Sequence, residues 1–260
     1  MGTYLDRILA AHRAAAEADE RDLDELVAAA RAQPPTRGFT RALASEPGVS
    51  VIAEVKRASP SRGPLADDLD PAALAGAYQA GGAVCLSVLT DGEFFHGSPA
   101  DLAAARAATR LPVLRKDFTV GPADVCDARI LGADAVLLIA AALSPLELTE
   151  LKALADDVGL DALVEVHDEE EAGAALAAGA TLVGVNQRDL VTFEVDTARA
   201  ERVARALPPG VTRVAESGIG GPGDVARLAA AGYQAVLVGE SLVTAADPAA
   251  AVAALREAGR

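Results

Sequence analysis

Four segments of the chain share one pattern, and this repeat constrains the fold more than any other feature of the sequence. The segments are "GGAVCLSVLT", "GADAVLLIAA", "GATLVGVNQR" and "GYQAVLVGES". Each begins with glycine after an Ala-rich helical pattern and continues as an apolar run. Glycine after a helix accepts the left-handed backbone conformation that ends the helix. A run that is apolar on both faces is typical of a parallel strand covered by helices, so the repeat predicts alternating helices and strands.

Eight strands of this kind can be placed, and a helical pattern follows each of them. Because eight βα units typically occupy ~250 residues, we expect an α/β fold, a (β/α)8 TIM barrel, with an open doubly wound sheet as the alternative. Helix starts are marked where a cap residue precedes proline, at Asp70, Ser98, Ser144 and Asp247. The predicted strands cover residues 51–56, 83–89, 112–116, 134–140, 161–166, 181–186, 211–217 and 235–239.

The first 45 residues precede the first predicted strand. They contain amphipathic patterns around residues 4–18 and 22–32, followed by a proline-containing loop. We expect them to form extra helices packed on the barrel, an N-terminal helical extension rather than a separate domain. No linker or low-complexity segment divides the sequence, so residues 1–260 are predicted to form one domain.

The chain carries a net charge of −15 at pH 7. Nucleic acids and anionic membranes are bound through clustered Lys and Arg, so we expect neither as a partner. The longest apolar run, residues 135–143, is too short to span a bilayer. Cys85 and Cys126 show no metal-ligand spacing, which favours free thiols in a reducing compartment and a cytoplasmic location. We expect a monomer, with a weak homodimer as the alternative.

Lysine occurs at three positions only, whereas arginine is common. Lys56 ends the first predicted strand in phase with Glu54, and Lys116 ends the third. Active sites of such barrels lie at the carboxyl ends of the strands. An ammonium can exchange a proton and a guanidinium effectively cannot, so these lysines indicate acid–base or electrophilic chemistry; a Glu–Lys ion pair that plugs the barrel is the alternative. Lys152 follows the fourth strand in a polar helix and is interpreted as a surface residue.

Other predicted strands end in polar residues at the same edge of the barrel. Charged side chains are rarely buried without a partner, so their recurrence at five strand ends indicates a shared site. Besides the ends of the first and third strands, these are Glu165 at the end of the fifth strand, Asn186 at the end of the sixth with Arg188 in phase beyond it, and Glu216 and Ser217 at the end of the seventh.

Glycine-rich turns, "ESGIGGPGDV" and "VGESLV", follow the last two strands. Backbone N–H groups in such turns bind phosphate, and this is the usual phosphate position in these barrels. Phe94, Phe95 and Phe118 are candidates for an aromatic substrate pocket, and packing of loops onto the core is the alternative interpretation.

The three histidines form no metal-ligand pattern, so we expect no metal. His12 is predicted to lie on the surface of an N-terminal helix, and His96 lies in a loop after the second strand. His167 is interpreted as a cap of the helix after the fifth strand.

The chain resembles the indole-3-glycerol-phosphate synthase family over about residues 45–245. The motifs that carry the resemblance are "VIAEVKRASPSRG", "SVLTDGEFFHGS", "PVLRKDF", "ALVEVH", "GVNQRDL", "TFEVD", "AESGI" and "VGESL", in this order. The resemblance implies ring closure of 1-(2-carboxyphenylamino)-1-deoxyribulose 5-phosphate, an anthranilate-derived substrate, with loss of CO2 and water in tryptophan biosynthesis. It implies no cofactor, and residues 1–45 match the helical extension of the family.

The resemblance also implies roles for individual residues. Lys116 would be the general acid for ring closure, and Glu165 the second acid–base group. Lys56 would hold the substrate carboxylate and act in dehydration, with Glu54 orienting the lysines; the division of roles between the two lysines stays open. Asn186 joins this catalytic set. The remaining contacts would be Arg188, Glu216, Ser217 and Phe118 to the substrate, and Ser59, Gly218, Gly239 and Glu240 to its phosphate.

Two positions depart from the family pattern. Gln187 replaces the expected Asn or Ser but lies out of phase with Asn186, so we expect no contact with the chemistry. Glu240 stands where some relatives carry a small hydroxyl residue, and we expect it to contribute its backbone amide while its carboxylate points away from the phosphate.

Two other functions are the alternatives. One is another phosphate-binding barrel enzyme such as phosphoribosylanthranilate isomerase, and the other is an inactive ligand-binding barrel. An isomerase of that kind needs one acid and one base, so two lysines and two carboxylates argue against the first. The complete set of polar strand ends argues against the second.

Overall fold

Eight parallel strands close into a barrel in the computed structural model, which describes residues 3–59, 62–66, 68–189 and 191–260. Each strand pairs with its neighbours in the chain, and the last closes on the first, with Ser50 opposite Ala235. The prediction of a (β/α)8 barrel is therefore confirmed and the open sheet is wrong. The strands are β1 Ser50–Val55, β2 Cys85–Leu89, β3 Val113–Lys116, β4 Ala135–Ile139, β5 Asp161–Val166, β6 Leu182–Asn186, β7 Thr212–Glu216 and β8 Ala235–Val238.

Helices follow the strands as the repeat predicts. The residues Asp70, Ser98, Ser144 and Asp247 cap helix starts with proline at the first helical positions. Gly132 ends a helix and has a φ of +89°, a backbone conformation that would be strained in a residue with a side chain. The helices are α1 Tyr4–Glu17, α2 Leu23–Arg31, α3 Phe39–Ser45, α4 Pro71–Ala80, α5 Pro99–Ala108, α6 Pro122–Ile130, α7 Pro145–Asp157, α8 Glu169–Ala177, α9 Thr197–Ala206, α10 Pro222–Ala230, α11 Glu240–Val243 and α12 Pro248–Ala258, with a short 3-10 turn at Ala140–Ala142.

The helix α3 lies in the stretch that the sequence predicted as a loop. It covers the N-terminal end of the barrel, where Phe39 is fully buried and the backbone N–H of Thr40 donates to Asp161 at 2.9 Å. Its start is hard to recognise because Gly38, which precedes it, has no side chain to cap the helix.

Strand phase divides the core into two layers. Ile52, Leu114 and Leu163 pack inside the barrel, whereas Val51 and Val55 pack between the strands and the helices. The interior is apolar toward the N-terminal ends of the strands and becomes polar at their carboxyl ends, as the alternation of β1 predicted.

The interpretation of Lys152 as a surface residue is wrong, because most of this side chain is buried. It lies on α7 with 8% of its surface exposed, and its ammonium is 2.6 Å from the carboxylate of Asp156 one turn later. The aliphatic stem of a lysine can be buried while its charged end reaches a partner near solvent. No described helix combines the length and apolar character that crossing a bilayer requires.

Candidate active site

One cavity of about 1060 Å³ opens at the carboxyl ends of the strands. The predicted catalytic, substrate-binding and phosphate-binding residues all line it, so strands distant in the chain bring these side chains together. Pro60 and Ser61, which belong to the predicted loop after β1, lie outside the described residues. The cavity is also lined by residues that the sequence analysis had not assigned to the site, among them Arg62, Asp91, Asp117, Phe193, Val195 and the apolar Leu89, Leu137, Ile139 and Leu237.

Lys116 on β3, which is partly buried, and Glu165 on β5, which is fully buried, form a charged pair. The ammonium nitrogen Nζ lies 3.4 Å from Oε2 of Glu165, and the amide of Asn186 donates to Oε1 at 3.0 Å. Burial would lower the pKa of Lys116, but the carboxylates of Glu165, Glu216 and Glu54 outweigh burial and raise it. Burial would raise the pKa of Glu165, but Lys116, His167 and the Asn186 hydrogen bond lower it. The unliganded site therefore holds a protonated lysine beside an ionised carboxylate.

Glu216 is a fully buried carboxyl of the site with a raised pKa. Burial, followed by the nearby charge of Glu165, raises its pKa well above the ordinary value. Its Oε1 is buried without a hydrogen-bond partner among the described residues and lies against Gly184 of β6. A Cβ on Gly184 would stand 2.0 Å from this oxygen, so the carboxyl occupies space that only glycine leaves free. The sequence predicted Glu216 at the site but gave no signal of its raised pKa.

Glu54 and Lys56 form a second charged pair at the end of β1. Their carboxylate and ammonium are 2.7 Å apart, and the hydroxyl of Ser87 donates to Glu54 at 3.2 Å. Gly239 lies directly beside the pair, because a Cβ there would be 2.4 Å from Glu54 Oε1 and 2.9 Å from Lys56 Nζ. A side chain at position 239 would therefore displace both groups.

The predicted phosphate end of the cavity combines glycines with one ion pair. Ser59 has a buried hydroxyl without a hydrogen-bond partner among the described residues. Gly218 has a φ of +68°. The guanidinium of Arg62 lies 3.0 Å from the carboxylate of Glu240, so an ion pair joins the loop after β1 to α11.

Gln187 supports the site from outside the cavity. Its side chain is fully buried, and its amide donates to the carbonyl oxygen of Ser217 at 2.7 Å. Ser217 has a φ of +63°, a conformation that costs energy in a residue other than glycine. Gln187 therefore holds a strained residue of the cavity wall, a function that strand phase alone does not reveal.

Helix α1 contributes to the aromatic side of the cavity. The ring of Phe118 lies 6.3 Å from that of Phe95 and 5.5 Å from that of His12, and all three lie near the mouth. Phe94 packs instead against Tyr4 of α1, at 5.8 Å between ring centroids. Both interpretations of these phenylalanines therefore apply. Phe95 and Phe118 line the cavity, and Phe94 packs its loop onto the N-terminal extension.

His12 is half-buried, so its interpretation as a surface residue is wrong. Its Nε2 lies 2.9 Å from the Asp91 carboxylate and 3.9 Å from that of Asp117. These three residues bring potential metal-ligand atoms within 4.8 Å of one another, a grouping that the chain spacing conceals. Asp117 already accepts hydrogen bonds from Thr90 at 2.5 Å and Arg115 at 3.0 Å. The cluster is explained as a contact between α1 and the barrel loops, and the expectation that no metal is needed stays a prediction.

Fold and site together define a (β/α)8-barrel enzyme with paired lysines and carboxylates at the mouth of the barrel. A family model described as "Indole-3-glycerol phosphate synthase" matches residues 5–255. The chain belongs to this family.

Similar curated proteins cover nearly the whole chain. Proteins named indole-3-glycerol phosphate synthase are 54% identical to it in Mycobacteroides abscessus, over 99% of this chain and 95% of the relative, and in Rhodococcus jostii, over 99% and 96%. Among solved structures, a thiamine phosphate pyrophosphorylase from Pyrococcus furiosus has a TM-score of 0.61 at 17% identity, covering 81% of this chain and 94% of that one. At this identity the structural likeness shows the barrel fold alone.

Proposed function

We propose that this protein converts 1-(2-carboxyphenylamino)-1-deoxyribulose 5-phosphate to indole-3-glycerol phosphate, CO2 and water, a step of tryptophan biosynthesis. The observation that carries the proposal is the meeting of Lys116, Lys56, Glu165 and Asn186 in one cavity, in a chain of this family. The reaction needs an acid for a carbonyl oxygen, a cation for a carboxylate and a base for a carbon-bound proton. The cavity offers each of these groups.

In the proposed ring closure, the aromatic carbon that bears the carboxylate bonds to the carbonyl carbon of the sugar chain. Lys116 donates a proton to the carbonyl oxygen, and its raised pKa keeps that proton available in the free enzyme. Lys56 holds the carboxylate until the bond to CO2 breaks and returns an electron pair to the ring. Glu54 orients Lys56 through their 2.7 Å contact.

In the proposed dehydration, the new hydroxyl takes a proton and leaves as water, while a base removes a proton from the adjacent CH2 group. Glu165 is ionised and held by Asn186, which suits it as this base. The raised pKa of Glu216 favours its protonated form, which can donate a hydrogen bond to a substrate oxygen.

The remaining contacts follow from position along the cavity. Arg188, Ser217 and Phe118 would bind the substrate beside the reacting atoms. Its phosphate would bind at the glycine-rich end, through the backbone near Gly218, Gly239 and Glu240 and through the unpartnered hydroxyl of Ser59.

The setting in which the enzyme works is also a proposal. We propose a cytoplasmic monomer that binds no nucleic acid. Two buried free cysteines support the cytoplasmic location, and the net charge of −15 argues against nucleic-acid binding. We also propose that residues 1–45 belong to the same domain as the barrel. Contacts of Arg13 with Glu147 at 2.9 Å, and of the Arg37 backbone N–H with Asp134 at 2.7 Å, support this view.

Turnover of the substrate tests the proposal. The purified protein is expected to produce indole fluorescence together with one CO2 per substrate consumed. Isomerisation of phosphoribosylanthranilate without CO2 release would instead identify the isomerase, and binding without turnover would contradict any catalytic role.

A further inference from the structure

His167 lies directly behind Glu165 and outside the residues that line the cavity. It follows β5 immediately, and its side chain is 11% exposed. Its Nδ1 is 3.0 Å from the Glu171 carboxylate. Its Nε2 faces Glu165 Oε1 at 3.6 Å and is buried without a hydrogen-bond partner among the described residues. The imidazole thus stands between two carboxylates, with one nitrogen anchored and the other directed at the proposed base.

The local fold explains why the ring is held in this orientation. Glu171 belongs to the first turn of α8 and accepts from the backbone N–H of His167 at 2.8 Å as well as contacting its ring. On the other side, Oε1 of Glu165 accepts from Asn186 while Oε2 faces Lys116. His167 and Asn186 therefore share one oxygen of the carboxylate, and Lys116 takes the other.

The charges around the imidazole favour its protonated form. It faces Glu165 on β5, Glu171 on α8 and Arg199 on α9, whose guanidinium also lies 3.7 Å from Asp189. Burial lowers the pKa of His167, but Glu171 and Glu165 outweigh burial and the opposing Arg199 and raise it. An imidazolium donates from both ring nitrogens, so each nitrogen then faces an acceptor.

We propose that His167, anchored by Glu171, is a positioning residue that orients Glu165 and keeps its carboxylate ionised for proton abstraction. This inference rests on the proposed acid–base role of Glu165. His167 is assigned no contact with the substrate, so its effect must be on the chemical step and its pH dependence rather than on substrate binding.

Two substitutions of His167 separate charge from orientation. His167→Asn keeps a polar group near Nδ1 and loses the contact with Glu165, whereas His167→Gln reaches toward the position of Nε2. Both remove the positive charge, so both should move the acidic limb of the kcat profile upward. Unit charges 3.6 Å apart imply a shift of about one pH unit even with full solvent screening. His167→Asn should also lower the plateau kcat about tenfold, with His167→Gln recovering most of it and KM unchanged in both.

Glu171→Gln is the matched control variant. Glutamine leaves the cap of α8 in place, because the side chain of Asp168 accepts from the backbone N–H of residue 171, and the glutamine amide oxygen can still accept from the backbone N–H of His167. The variant should shift the acidic limb in the same direction, and it should have no further effect when combined with His167→Asn. Such non-additivity is expected only if Glu171 acts through His167.

The outcomes distinguish this inference from the proposed function. Wild-type pH profiles in both His167 variants, or additive effects of His167→Asn and Glu171→Gln, would overturn the positioning role while Glu165→Gln remains inactive. An active Glu165→Gln enzyme would overturn the assignment of the base, and the inference with it. If His167→Asn fails to fold, a wild-type profile in Glu171→Gln is sufficient to overturn the inference.

Discussion

The substitution Gly184→Ala should disable the site through a single methyl group. Gly184 lies within β6, and the new Cβ would stand 2.0 Å from Oε1 of Glu216. Non-bonded heavy atoms attract best at about 3.5–4.0 Å, so the carboxyl would have to retreat by about 1.5 Å. A displacement of about 1 Å in a catalytic site can lower the rate ~10²-fold. Overpacking of this kind should also reduce the free energy of unfolding by about 1–3 kcal/mol.

The test measures kcat by indole fluorescence and the free energy of unfolding by urea titration. Gly173→Ala is the control, because a Cβ at that position of α8 meets open space. Replacing a glycine within a helix should stabilise the protein by about 0.5–1 kcal/mol and leave kcat unchanged. The same pair of measurements in a Glu216→Ala background removes the oxygen that the new methyl group meets.

The expected losses have one cause, the contact between the added methyl group and the carboxyl of Glu216. If Gly184→Ala kept the parental kcat and stability, the carboxyl would not be confined as described. If the loss of stability were equally large in the Glu216→Ala background, the clash would lie elsewhere, for example against Leu163, whose Cδ1 is 3.2 Å from the added Cβ.

Three further predictions follow from the charged groups. Lys116→Ala should lower kcat by about 10²–10⁴-fold, as loss of a general acid does, whereas Lys152→Ala should leave kcat unchanged; near-normal turnover of the first variant would refute its role. Glu240→Gln should release Arg62 and tighten competitive inhibition by inorganic phosphate about two- to fivefold, since an exposed pair contributes ~0.2–1 kcal/mol; unchanged inhibition would place the phosphate elsewhere. The raised pKa of Glu216 stabilises the fold below the ordinary value of 4.5, and this stabilisation is lost as pH rises toward the folded-state pKa. The unfolding free energy of the wild type should therefore fall relative to that of Glu216→Gln as the pH rises above the ordinary value of 4.5, and parallel curves would contradict a raised pKa of Glu216.

The barrel could be predicted because its signals are local and repeated. Each strand lies within a few residues of its predicted range, since glycine followed by an apolar run marks four of the units and a capped proline marks four helix starts. The two-residue alternation of β1 then assigns Ile52, Glu54 and Lys56 to the interior before any contact is known. Residues at several strand ends could be assigned to one site because the fold itself brings these ends together.

Other features depend on contacts between distant residues and left no pattern in the chain. His12 and Asp91 are 79 positions apart, and either alone has the spacing of a surface residue. The raised pKa of Glu216 results from its burial beside Glu165, which no single motif encodes. Lys116 illustrates the same limit, because burial and neighbouring carboxylates oppose each other and only their positions decide the direction of its pKa.

The closure of the barrel by α3 has a consequence for the order of events during turnover. Phe39 and Leu43 seal the end opposite the cavity, and the apolar interior lies between them and the reacting groups. In the proposed reaction, the substrate, CO2, water and indole-3-glycerol phosphate must then all pass through the mouth of the cavity. A new molecule of reactant enters only after the previous product has departed, so the product should act as a purely competitive inhibitor.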